Sequence, residues 1–148
     1  MGMLIKNYLF WFKIGTWMCL ITGLIHSLNF INKPQPQNEV EKQLFDLLEN
    51  YRVILPGGFN RSTYELMLFF NLNMTFFLVS WSIIGMILVY SLMPTKKDRQ
   101  IVGVSAAIWT AYLIPTYLLT FLIPLVLIAM TWLCFVLSWI TFKKVGEH

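Results

Sequence analysis

Residues 14–32, 66–95 and 101–142 of this 148-residue chain contain no Asp, Glu, Lys or Arg, giving uncharged stretches of 19, 30 and 42 residues. A helix crosses a bilayer with about 20 such residues at ~1.5 Å rise each. The third stretch would run ~63 Å as one straight helix, twice the ~30 Å hydrocarbon core, so it has to turn back on itself. Four spans are therefore predicted, over about 8–31, 64–92, 101–120 and 124–142. Composition agrees: 57% of the residues are hydrophobic and 12% charged, where a soluble domain carries about a quarter charged. Soluble enzymes, secreted domains and disordered chains are excluded. The expected fold class is all-α: a polytopic membrane protein forming one four-transmembrane-helix bundle over 1–148, with no internal repeat and no linker to a second domain.

The net charge of +4 comes from 11 basic and 7 acidic residues. The basic residues never run longer than two, which argues against a nucleic-acid surface, and their placement follows membrane topology instead. Lys6 and Lys13 border the first span, Lys96, Lys97 and Arg99 lie between the second and third, and Lys143 and Lys144 follow the fourth. Lys33, Lys42, Arg52 and Arg61 share the first loop with Glu39, Glu41, Asp46, Glu49 and Glu65. The positive-inside rule then places both termini and the middle loop in the cytoplasm and the long first loop outside. The first span lacks a small-residue cleavage site and reads as an uncleaved anchor. Cys19 and Cys134 fall inside spans without a CxxC pair and read as buried free thiols.

The first loop is the one polar region. Pro34 and Pro36 stop the first span. Beyond them Val40, Leu44, Leu47, Leu48 and Tyr51 recur at helical spacing, predicting an amphipathic helix over about 38–52 that ends before Pro56-Gly57-Gly58. Asn38 and Glu41 resemble a capping box, and Ser62 with Glu65 forms another at the head of the second span. The apolar stripe needs cover, and because the polar face holds four acids, packing as a cap over the outer end of the bundle is expected rather than attraction to anionic headgroups. Pro94 ends the second span, Pro115 is expected to kink the third, and the last turn is placed at 120–124.

Within lipid, the phase of small and polar residues marks the inward face of each span. Such seams read Gly15, Cys19, Thr22, His26, Asn29 on the first span; Asn71, Thr75, Leu78, Ser82, Gly85 on the second; Gly103, Ala106, Thr110, Leu113, Tyr117, Thr120 on the third; and Thr131, Cys134, Ser138, Thr141 on the fourth. His26 is the one intramembrane residue that titrates near neutral pH, and ionisable groups in spans point to function. With Thr22, Asn29, Arg61, Glu65, Asn71 and Asn73 it is predicted to line an outer polar pocket, His26 and Glu65 being the candidate catalytic pair and the others candidate ligand-binding residues. One membrane histidine provides neither a metal site nor a haem site, so no metal and no cofactor are expected.

Gly23-Leu24-Ile25-His26 at the end of the first span, the Pro- and Glu-containing segment 34–39 and Arg61-Ser62 resemble the layout of small DoxX-like four-helix bacterial membrane proteins. That resemblance covers most of the chain and implies an integral inner-membrane protein. Trp17 with Gly23 to His26 is also similar to the first span of the EXPERA sterol-isomerase-like superfamily, which places an acid four residues after the histidine where this chain has Phe30. The expected function is to bind a lipid-like or isoprenoid ligand, or a membrane partner, at the outer pocket. The alternative is a membrane enzyme acting on a lipid or quinone-like substrate, with His26 as general acid or base. The partners expected are membrane lipid, a membrane protein or a second copy of the chain, and no nucleic acid.

Overall fold

A computed structural model of the chain describes residues 7–31, 35–91 and 96–142. Lys6, Lys33, Pro34, Pro94, Lys143 and Lys144, to which the sequence assigns orientation or helix-ending roles, lie outside the described residues, as does the side chain of Asn29. The elements run α1 (Tyr8–Ile31), α2 (Glu39–Asn50), β1 (Arg52–Leu55), β2 (Phe59–Ser62), α3 (Thr63–Ser91), α4 (Lys96–Leu119) and α5 (Leu122–Ile140). Four helices hold segments long and apolar enough to cross a membrane: Tyr8–Leu28, Thr63–Tyr90, Lys97–Leu119 and Leu122–Ile140. This is the make-up of a multi-pass membrane protein.

The distribution of polarity supports the same reading. Thr16, Ser82, Thr131 and Ser138 are fully buried, while Phe70, Phe76 and Ile87 are about two-thirds exposed. Water would not tolerate that arrangement, whereas lipid favours it, because hydrocarbon solvates Phe and Ile and leaves hydroxyls to find partners inside. Thr16 and Thr131 donate to the carbonyls of Lys13 and Leu127.

The chain forms two compact units, with α1 and α3 passing through both. The first comprises α1 up to Thr22, α3 from Leu78 onward, α4 and α5. In it α4 packs against α5. The Phe12 ring meets Phe135 edge-on at 5.3 Å, and Phe135 stacks on Trp109 at 5.8 Å. The Ser138 hydroxyl donates to the Tyr8 carbonyl at 2.8 Å, tying α5 to the start of α1. Gly15 sits against Phe135 and Cys134, and Gly85 against Thr16; a side chain at either position would meet those atoms. Cys19 and Cys134 are free and buried.

Three expectations need correction here. The inward face of α4 is Val102, Ser105, Ala106, Trp109 and Thr116, whereas Thr110 and Tyr117 are exposed. Thr110 satisfies its hydroxyl on the Ala106 carbonyl and accepts a hydrogen bond from Trp132 Nε1 at 2.8 Å, so it needs no buried partner. The helix also starts at Lys96 rather than near Ile101. Charge sets residues 96–99 apart from the uncharged stretch, but it does not keep them from being helical. Pro124 falls in the first turn of α5, where its missing N–H costs no hydrogen bond, so the turn shrinks to Thr120 and Phe121.

The second unit is Gly23–Phe77. Asn38 Oδ1 accepts from Glu41 N–H at 2.8 Å, and the Glu41 carboxylate reaches back to Gln37 N–H at 2.7 Å, closing the start of α2. No residue of α2 is buried: Val40 is 76% exposed and Leu44 51%. Among the described residues of this unit, the apolar stripe is left largely exposed. Next comes a hairpin in which Arg52 pairs with Ser62 and Leu55 with Phe59. Its connection is Pro56-Gly57-Gly58, with Gly57 and Gly58 at φ +88° and +79° and Gly58 N–H bonded to the Leu55 carbonyl at 3.1 Å. Proline at the second position and a left-handed glycine at the third make a type II turn.

Candidate functional site

Where the hairpin feeds into α3, the backbone is fixed by a reciprocal cap. Ser62 N–H donates to Glu65 Oε2 at 2.8 Å, and Glu65 N–H donates to Ser62 Oγ at 3.1 Å. The cap holds the first turn of α3 against β2, so that Glu65, Leu66 and Phe69 face the hairpin residues Leu55, Pro56, Phe59 and Arg61 across a cavity of about 830 Å³. This lies within the ~300–1,000 Å³ usual for small-molecule sites. Five of its seven walls are apolar. Among the described residues Arg61 brings the one cation and Glu65 the one carboxylate, and an oxygen of that carboxylate is already engaged by Ser62.

Of the residues singled out from the sequence, this cavity brings together Arg61 and Glu65. His26 and Asn71 form a second pair. The half-buried imidazole lies edge-on to Phe30 at 6.4 Å and beside the Asn71 backbone carbonyl, and among the described residues its buried Nε2 atom meets no hydrogen-bond partner. His26 does not line the hairpin cavity. Thr22 and Asn73 are turned to their own helices: the Thr22 hydroxyl donates to Met18 at 2.7 Å and Asn73 Nδ2 to Phe69 at 2.8 Å. Among the described residues no three of His, Cys, Asp and Glu converge as metal ligands would.

Leu55, Pro56, Phe59, Leu66 and Phe69 were not singled out from the sequence. A signal for them exists in Pro-Gly-Gly set between the short runs Arg52-Val53-Ile54-Leu55 and Phe59-Asn60-Arg61-Ser62, which is a hairpin pattern. Comparisons with family models, with curated proteins and with solved structures return no match.

Proposed function

We propose that this chain is an inner-membrane protein with both termini in the cytoplasm, and that it holds a lipid-like or isoprenoid amphiphile in the cavity between the hairpin and α3, on the outer side. The observation that supports this reading is the composition of that cavity among the described residues: apolar walls from Leu55, Phe59, Leu66 and Phe69, one cation, Arg61, whose side chain is exposed, and one carboxylate, Glu65, already engaged in the helix cap. Apolar walls accept a chain, and a guanidinium accepts a polar or anionic head through paired hydrogen bonds. The exposed stripe of α2 and the exposed Ile54 and Phe59 present further apolar surface on the same unit, suited to the interfacial layer in which such a molecule is met. The resemblance to DoxX-like proteins agrees with the membrane assignment and adds no chemistry.

Native mass spectrometry of the purified chain tests the reading. A co-purifying amphiphile is expected on the wild type, and Arg61→Ala is expected to lower its retention about tenfold or more, the loss of a charge-assisted hydrogen bond of ~1.5–3 kcal/mol. Wild-type protein without such a molecule, or equal retention by the variant, would overturn it.

The buried Nε2 of His26, which meets no hydrogen-bond partner among the described residues, supports one further reading, in which the imidazole moves a proton on a lipid or quinone-like substrate that reaches it. In that case wild type is expected to exchange a carbon-bound hydrogen of the added lipid with deuterated water, and His26→Gln is expected not to. Equal deuterium uptake by both removes the enzyme reading and leaves the binding reading standing.

A further inference from the structure

The first unit holds a cavity of its own, of about 440 Å³, between α3 and the start of α4. Phe12, Trp81, Leu88 and Val104 supply apolar wall, and Lys97 and Gln100 stand exposed on the first turns of α4. Steps of three and four residues put Lys97, Gln100 and Val104 on one face of that helix, so the polar groups and the apolar wall continue one into the other. Among the described residues no carboxylate lines the cavity. Asp98, the acid of this segment, is 92% buried and does not line the cavity. The N-terminal end of α4 adds its own positive potential beside Lys97.

We infer that this cavity binds an anionic phospholipid, its phosphate held by Lys97 and Gln100 and one acyl chain lying along Trp81, Leu88 and Val104. An uncharged apolar molecule would leave the lysine unused, and a zwitterionic headgroup would bring a cation for which the cavity has no carboxylate. A water-soluble phosphate would leave the apolar wall uncovered. The inference does not rest on the hairpin cavity, because Lys97 and Arg61 line different cavities and either site can fail alone.

The test is native mass spectrometry of the full chain in neutral detergent, titrated with phosphatidylglycerol or phosphatidylcholine of matched chains. Wild type is expected to retain one phosphatidylglycerol in preference to phosphatidylcholine. Lys97→Gln is expected to reduce that preference about fivefold, as for one lysine at an anionic headgroup. Lys42→Gln, which alters an exposed lysine of α2 outside this cavity, is expected to leave it unchanged. Val104→Trp fills the cavity while keeping the lysine and is expected to lower retention of phosphatidylglycerol. Equal retention of the two lipids by wild type, or an equal effect of Lys97→Gln and Lys42→Gln, would overturn the inference, the latter by showing only general charge attraction. A preference that survives both Lys97→Gln and Val104→Trp would place the lipid elsewhere and overturn it equally.

Discussion

Trp109→Ala is expected to cost the folded protein about 3–5 kcal/mol, the range for emptying a large aromatic site in a packed interior. Trp109 is fully buried, stacks on Phe135 at an interplanar angle of 17° and meets Tyr112 edge-on at 5.7 Å. It therefore joins the aromatic cluster of α4 and α5 to Phe12 of α1 through Phe135. Among the described residues its buried indole Nε1 meets no hydrogen-bond partner. Trp109→Phe, which keeps most of the ring and removes that unpaired donor, is for this reason expected to cost less than about 1.5 kcal/mol. Unfolding in mixed micelles, followed by helical circular dichroism, measures both. Equal losses from the two variants would mean that the polar atom matters and the ring packing does not.

Gly85→Ala is expected to destabilise the same unit by about 1–3 kcal/mol through overpacking. A Cβ there would overlap Thr16 Cγ2, on a neighbouring helix and fully buried. Close approach of this kind is how helices associate in lipid, where hydrophobic burial between them gives no driving force. The partner is specific, so the loss is expected to be recoverable. Thr16→Ser removes the methyl while keeping the hydroxyl that donates to the Lys13 carbonyl at 2.8 Å, and the double variant is expected to regain most of the stability. Additive losses in the double-mutant cycle would show that Gly85 acts through its backbone and not through this contact.

How far the sequence carried these features depended on whether one helix or two had to be read. The first span, predicted over 8–31, is the helix Tyr8–Ile31, and the second, predicted over 64–92, is Thr63–Ser91. Length and charge suffice for that, since each helix satisfies its own backbone in lipid. Seams of small residues were also legible where they served contact: Gly15, Cys19 and Thr22 on α1, Leu78, Ser82 and Gly85 on α3, and Thr131, Cys134 and Ser138 on α5 are buried. On α4 the pattern misled, because Trp109 takes the centre and Thr110 bonds within the helix surface. A large aromatic carries no mark of which neighbour awaits it.

The candidate site was harder to read for a related reason. Amides and hydroxyls were grouped by the end of the span they occupy, yet Thr22 and Asn73 spend their donors on carbonyls four residues back. The hairpin that forms much of the cavity depends on Pro56, Gly57 and Gly58, which look from the sequence like the end of a helix. Its strands are four residues each, too short for alternation to stand out.

The central proposal is that α3 carries the chain across a membrane, with the hairpin entering on the outer side and the basic start of α4 lying on the cytoplasmic side. Cys19 and Cys134 are buried, so added cysteines can be read against a silent background. Asn60→Cys and Arg99→Cys both replace exposed residues. In sealed, right-side-out vesicles a charged maleimide that does not cross lipid is expected to label Asn60→Cys at once, and Arg99→Cys only after the vesicles are opened. Labelling of both positions from the same side would contradict the account.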